Sequence, residues 1–340
     1  MAQSEGFYLT LPSDGSMKTF PNNMISQFKT LLPQTIDLTD GEWEVALTEM
    51  MYGTDVQNIS DKEAYFDILI TKEYSDQLGD PNLFKTNRFQ KTKLESTFLA
   101  DCETLVSWKY SYFGYNYRQK EEKKEVPPTL EMDIIRIQFQ PGPYIHPKAL
   151  ISEINEGLRR TLYDLWTVLS TNSNEKNNMQ LVYHDKFDRI EYQYNGNTMR
   201  QNHPFCIRFP VPLALKMGFG TKAFLLPQEE EDMTKWINVK YLAPNNIDLF
   251  ENLKQMYVYC DIIEPQMVGS NALKLLRVVP VTSGTQDQTQ AKWEPVRAEY
   301  LKLSKRHFDT IEIQLRNSLG DLFPFLRGKT VIKLHFRKVY

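Results

Sequence analysis

The sequence predicts a mainly β protein, an antiparallel single jelly-roll sandwich carrying an inserted α+β subdomain. Three observations point there. Two segments near the C-terminus alternate strictly with period two. Segments of the same kind fill the first part of the chain. The stretch between them mixes strand and helix patterns, so strands from both ends must meet in one sheet system.

The C-terminal pair is the clearest. Thr310–Arg316 (TIEIQLR) puts Ile311, Ile313 and Leu315 on one face and Glu312, Gln314 and Arg316 on the other. Val331–Arg337 (VIKLHFR) sets Ile332, Leu334 and Phe336 against Lys333, His335 and Arg337. Asn317-Ser318-Leu319-Gly320 supplies turn chemistry between them. Such alternation marks strands with one buried and one wet face. The second run lies beside Tyr340, and a sheet ties down a terminus that would otherwise fray. The last strand is therefore expected to complete a sheet with the N-terminal region.

That region reads as β-structure. Phe7, Leu9 and Leu11 alternate before Pro12. Phe28–Leu32 and Ile36–Leu38 are short apolar pieces separated by Pro33, and Asp37–Gly41 (DLTDG) is a turn. Trp43, Val45 and Leu47 alternate with Glu42, Glu44 and Thr48, and Tyr65–Ile70 is a further strand. Residues 71–130 are polar and irregular. They hold a Tyr-rich piece, Trp108–Tyr117, a charge run, Gln119–Glu125, and Pro127-Pro128. The charge run and proline pair read as an exposed loop or linker and mark a boundary.

Residues 131–220 change character. Ile135, Ile137 and Phe139 alternate until Pro141-Gly142-Pro143. Pro147 opens a helix with Leu150, Ile151, Ile154 and Leu158 as its apolar stripe. Met179–His184 and Ile190-Tyr192-Tyr194 form a strand pair around Asp185–Asp188, and Asn195-Gly196 is a hairpin signal toward Phe205–Phe209. Pro212–Met217 is a short helix ended by Gly218. Strands then return at Trp236–Tyr241, Met256–Ile263, Leu275–Val281 and Arg297–Leu303, with Gly284–Gln290 as a polar tip. Met256–Cys260 is apolar on both faces and is expected to be central and covered twice. The domains expected are a discontinuous sandwich, 1–70 with 234–340, and an insertion, 71–233, containing the irregular loop 71–130.

Composition narrows the function. Forty basic and 43 acidic residues leave a net charge of −3, without the footprint of a nucleic-acid binder. Only 15 Gly argues against a Gly-rich nucleotide-binding fold, and 18 Tyr with 19 Phe suit pleated surfaces and interfaces. Cys102, Cys206 and Cys260 are too few and too scattered for a disulfide framework or a zinc site, and read as buried thiols of a reducing compartment. MAQSEGFYLTLPS has no basic n-region and no long apolar run, so no signal peptide and a cytosolic or nuclear site of synthesis are expected. No stretch approaches the roughly 18 apolar residues of a membrane span.

Catalytic constellations do not stand out. His184 with Asp185 and Asp188 could hold a metal, but residues on one hairpin turn rarely converge and read as solvated. Gln228–Asp232 (QEEED) lacks the alternating spacing of a calcium loop. His307 with Asp309 and Glu312 lacks a nucleophile motif. No catalytic residue, metal site or cofactor is therefore expected. Tyr110, Tyr112, Tyr115 and Tyr117 have two readings, a packed aromatic hairpin or an interaction surface.

Several segments together resemble one family. They are FYLTLPS (Phe7–Ser13), Phe20-Pro21-Asn22-Asn23, Trp43–Glu49, Pro210–Gly218, Tyr257–Ile262 with Val268-Gly269 and Leu275–Val279, then Ile311-Glu312-Ile313 and Lys333–Arg337. In order and spacing they are similar to the minor capsid (penton) protein of Polintons, or Mavericks, virus-like DNA transposons of animals. The likeness is weaker across 71–130. It implies a single jelly-roll subunit with no catalytic residues, a homopentamer at the icosahedral vertices of a virion, beside a double jelly-roll major capsid protein. No membrane partner and no specific nucleic acid are expected, with synthesis in the cytoplasm and assembly in the nucleus as an open expectation. Two other roles stay open. A major, hexon-like capsid protein needs two rolls and more strands than this chain shows. A glycan- or receptor-binding sandwich needs exposed aromatics beside carboxylates and amides, for which Tyr112, Tyr115 and Asn116 are the sequence candidates.

Overall fold

The structure is a computed structural model that describes residues 6–71, 91–93, 132–169, 178–195, 205–220, 224–225, 239–281 and 289–339. In chain order the strands are β1 (Gly6–Pro12), β2 (Gln27–Asp37), β3 (Glu42–Gly53), β4 (Tyr65–Thr71), β5 (Lys91–Lys93) and β6 (Met132–Gln138). Helix α1 (Pro147–Leu169), β7 (Asn178–His184), β8 (Arg189–Asn195), β9 (Phe205–Arg208), helix α2 (Val211–Lys216), β10 (Phe224–Leu225) and β11 (Val239–Leu242) follow. The remainder is β12 (Gln255–Cys260), β13 (Gln266–Val268), β14 (Asn271–Leu273), β15 (Leu275–Pro280), β16 (Gln290–Trp293), β17 (Leu301–Lys302), β18 (His307–Arg316) and β19 (Val331–Val339). The chain divides into two compact units, Met1–Asn58 with Phe250–Tyr340, and Ile59–Leu249.

The first unit is a jelly roll by strand order. One sheet runs β1-β19-β3-β16, with β17 also pairing β3, and the other runs β15-β12-β18-β2. First strand therefore lies beside last, second beside second-to-last, and so inward to β12 beside β15, all antiparallel. That is a long hairpin wound into a sandwich. Pairing of Phe7 with Phe336 and Leu11 with Ile332 brings the two ends of the chain together, as the alternating patterns predict.

Period-two alternation selects the core. Ile311, Ile313, Leu315, Ile332, Leu334 and Phe336 are fully buried, while Glu312, Gln314, Lys333 and His335 face outward. They meet Phe28, Val45, Leu47, Met50, Tyr52, Met256 and Val258 in one apolar cluster. Each such side chain contributes about 1.5–3 kcal/mol by leaving water. In β3 the parity changes partway: Val45 and Leu47 point inward, and then Met50 and Tyr52 do. A bulge causes this, because Leu334 pairs with Leu47 and Lys333 with Glu49, leaving Thr48 between rungs. The Thr48 hydroxyl donates to the Lys333 carbonyl at 3.0 Å, across the interrupted ladder.

Several strands differ from their sequence patterns. β2 is one strand running through Pro33, not two pieces. It lies at a sheet edge, where proline costs no ladder bond, and residues 32–35 bulge opposite Asp309. β12 is central, but only Met256, Val258 and Cys260 are fully buried. Tyr257 and Tyr259 are half-buried on the outer face. The Arg297–Leu303 strand contracts to β17, and the neighbouring place goes to β16, whose four residues show too short an alternation to be read. The hairpin β13–β14 is likewise absent from the sequence pattern.

The second unit holds a five-stranded sheet, β10-β9-β4-β6-β5, and a three-stranded sheet, β11-β8-β7. β4 and β11, which the composition placed with the sandwich, pair inside this unit, so the contact division falls at 58/59 and 249/250. β9 pairs with β4 and β10 rather than with β8, so Asn195 does not lead into a hairpin with it. Leu150, Ile151, Ile154 and Leu158 of α1 are buried as their spacing predicts. Gly157 brings the helix close to the sheet, since a Cβ there would lie 3.1 Å from Ile137 and 3.3 Å from Phe66. α2 ends at Gly218, whose φ of +84° and the bonds Phe219 N–H to Ala214 O and Gly218 N–H to Leu215 O, both 2.9 Å, make a Schellman cap.

Charge is buried in this unit. Asp67 is wholly inaccessible and accepts from Arg136 Nε at 2.8 Å and Nη2 at 3.2 Å, and from both Arg208 Nε and Nη2. Arg136 also stacks over Tyr65 at 3.9 Å. Glu63 binds Lys216 Nζ at 2.7 Å and the Ser60 N–H and hydroxyl. Burial pushes the Glu63 carboxyl upward, but these donors outweigh it and hold it below its ordinary value. No described helix is long and apolar enough to cross a membrane.

Candidate functional surfaces

The residues flagged in sequence for chemistry are not brought together. His184 Nε2 lies 3.0 Å from Glu191 Oε2 across the β7–β8 hairpin. Asp185 pairs with Lys148 at 2.7 Å, and Asp188, at φ 50°, accepts from the Tyr183 hydroxyl at 2.6 Å. That bond pushes the Tyr183 phenol up to about 12. His307 sits 3.9 Å from Asp37 on the exposed end of β18, while Glu312 binds Lys29, Gln27 and Gln314 on the sheet face. Among the described residues no group of His, Cys, Asp and Glu is arranged to hold a metal ion. Burial pushes the Cys260 thiol up to about 12, so it is an inert core group. Tyr110, Tyr112, Tyr115, Tyr117, Asn116, Cys102 and the acidic run 228–232 lie outside the described residues.

What the fold does assemble lies on the two outer faces of the sandwich. On the first sheet, β1 sets Tyr8 beside His335 of β19, ring centroids 4.4 Å apart. The Tyr300 hydroxyl lies 2.7 Å from His335 Nδ1, and the Tyr300 ring lies under Arg337 at 3.6 Å. Burial and then the Arg337 charge hold the His335 imidazole below its ordinary value. Arg337 in turn pairs with Glu44 at 2.8 Å, and Lys333 with Glu49 at 3.8 Å. Tyr8 remains 58% exposed at the sheet edge, so the cluster is an accessible aromatic-cation surface.

On the second sheet, register sets Tyr257 opposite Arg316, Tyr259 opposite Gln314, Gln314 opposite Gln27 and Glu312 opposite Lys29. Burial pushes the Glu312 carboxyl upward, but Gln314, Lys29 and Gln27 outweigh it and hold it low. The outer edge of this sheet is closed by the β1–β2 loop. Leu31 N–H donates to Ser16 Oγ at 3.0 Å, and the Asn23 side chain pairs with both main-chain groups of Lys29 at 2.9 Å. An amide side chain thus stands where another strand would add. Neither face was singled out from sequence, because each combines residues far apart in the chain, such as Tyr8 with His335 and Gln27 with Gln314, that only pairing makes neighbours.

No protein-family model matches the chain, and no curated protein matches it. Two solved structures are similar over nearly the whole chain. The mavirus penton protein is similar at a TM-score of 0.44 and 10% identity, over 99% of this chain and 100% of its own. A chain of the Sputnik virophage, solved by cryo-EM, is similar at a TM-score of 0.43 and 11% identity, over 99% of this chain and 98% of its own.

Proposed function

We propose that this protein is a structural capsid subunit, a penton that closes the vertices of an icosahedral virus-like particle as a homopentamer. The observation that carries this is the strand order, β1-β19-β3-β16 over β15-β12-β18-β2. It is a single roll, and the sheets of the second unit have a different order. The short segments that resemble Polinton and Maverick pentons fall largely on this roll: FYLTLPS on β1, Trp43–Glu49 on β3, Tyr257–Ile262 on β12 and Lys333–Arg337 on β19. Step from roll to container is a fold-level analogy, strengthened by those segments.

Mechanism then means assembly. Head-to-tail contacts repeated around a five-fold axis close a ring without leaving a free end. Sheet edges are natural contacts, and the β2 edge is already covered while Tyr8 stands exposed on the β1 edge. The ring would meet a double jelly-roll major capsid protein at its rim, inside the virion.

Electron microscopy of the purified protein, with light scattering for mass, tests this. Five-fold rings, and their incorporation into particles on co-expression with a major capsid protein of the same element, are expected. A stable monomer or trimer at micromolar concentration would exclude the penton role. Turnover of ester, glycoside or phosphodiester substrates would mark an enzyme instead.

A further inference from the structure

The outer face of the β15-β12-β18-β2 sheet carries an arginine without a counter-charge among the described residues. Arg316 donates from Nε at 3.1 Å and Nη2 at 2.9 Å to one atom, Gln314 Oε1, and from Nη1 to the Gly320 carbonyl. No carboxylate of the described residues lies within ion-pair distance of it. Glu312, four residues away on the same strand, is instead saturated: Gln314 Nε2 at 2.9 Å, Gln27 Nε2 at 3.2 Å and Lys29 Nζ at 3.1 Å all point at it. Tyr257 and Tyr259 project from the adjacent strand, opposite Arg316 and Gln314, both half-buried.

The geometry points to a site for a carboxylate-bearing sugar, a sialic or uronic acid unit of a glycan. The Nε/Nη2 edge of arginine matches a carboxylate bidentately, and that charge-assisted pair is about twice as strong as a bond to a neutral amide oxygen. A ligand carboxylate would therefore replace Gln314 Oε1. The released Gln314 Oε1 would then accept from a ring hydroxyl, while Gln314 Nε2 and Gln27 Nε2 stay on Glu312. Tyr257 and Tyr259 offer apolar ring area for the sugar's C–H face at low entropic cost. A neutral sugar leaves Arg316 uncompensated, and inorganic phosphate leaves the tyrosines unused. The site belongs to the roll itself and does not depend on the capsid role.

Calorimetry and saturation-transfer NMR on the full chain test this with sialyllactose, glucuronate, lactose and inorganic phosphate. An acidic sugar should bind at least about tenfold more tightly than lactose or phosphate. Arg316→Gln should remove that preference, Tyr257→Ala should weaken binding about tenfold or more, and Tyr257→Phe should retain it, since the ring and not the hydroxyl makes the contact. If Arg316→Gln misfolds, Tyr259→Ala and competition by phosphate remain as readouts. Lack of acidic-sugar binding at about 10 mM overturns the proposal, as does equal binding of lactose or phosphate. A change of oligomer order in Tyr257→Ala, with sugar binding untouched, would make this face a contact between copies instead. Five-fold rings without sugar binding would sink this site and spare the penton reading; sugar binding by a monomer would do the reverse.

Discussion

The two units hold themselves together differently. The roll buries an apolar cluster, with Leu334, Phe336, Ile313 and Val258 at zero exposure and its charges on the outer faces. The other unit buries Asp67 between two arginines and Glu63 against Lys216. Apolar alternation specifies which face of a strand goes inside but tolerates repacking. A buried ion cluster is less forgiving, because removing one member takes the matching charge from groups already largely withdrawn from water. Asp67 pairs with residues 69 and 141 positions away, so it also pins three strands, β4, β6 and β9, in one arrangement.

Breaking the ion cluster should have the largest effect. Asp67→Ala removes the buried carboxylate that both Arg136 and Arg208 bind and should destabilise the second unit by about 3–5 kcal/mol. Chemical denaturation followed by hydrogen exchange would show loss of protection in β4, β6 and β9 ahead of β18 and β19. Simultaneous loss in both units would mean they do not differ as described. Leu334→Ala should cost the roll about 2–5 kcal/mol, the usual range for a buried leucine. Tyr257→Ala, on the outer face, should cost clearly less, and equal losses would put Tyr257 in the core. Gly218→Ala should cost the second unit about 1–3 kcal/mol. A Cβ there would lie 2.3 Å from the Asn245 carbonyl oxygen at a φ of +84°, and an unchanged melting temperature would contradict that cap.

The smallest effect expected is a pH dependence of the roll. Folding holds His335 below its ordinary value, so as pH falls from about 6.5 the unfolded chain takes up the proton first. Stability should decline across that window until the folded imidazole also protonates. The groups facing His335 are Tyr8, Tyr300, Arg337 and, on the next rung, Lys333. His335→Gln should flatten this part of the stability profile, and a mutant curve parallel to the parent would assign the dependence elsewhere. Glu312 works the same way at lower pH: its carboxyl is held low, so its contribution is present above the ordinary carboxylate range and lost as pH falls through the folded value.

Legibility followed the same divide. Roll strands with long, strict alternation, β18 and β19, were readable with the correct inward face, because burial on one side imposes a period of two. Strands that break the rule were not. β16 is four residues long, and β2 crosses Pro33 only because it is an edge strand. β3 changes parity at Thr48, a bulge that Lys333 on another strand determines. Tyr257 and Tyr259 read as core because their aromaticity matches buried residues, although the sheet turns them outward. Tyr110, Tyr112, Tyr115 and Tyr117 lie outside the described residues, and among the described residues the tyrosines on the outer faces of the roll are Tyr8, Tyr257, Tyr259 and Tyr300.

By itself, the order of apolar and polar residues determined the β class, the return of the last strand to the first, the α1 stripe and the Gly218 stop. These depend on local sterics and on periodicity, which the chain carries in every short window. Tertiary structure alone decided the winding of nine strands into two sheets, the ion cluster at Asp67, and the alignment of Tyr257, Gln314 and Arg316 on one face. Those depend on which distant strands become neighbours, and pairing energy is nearly the same for many registers until the whole core closes.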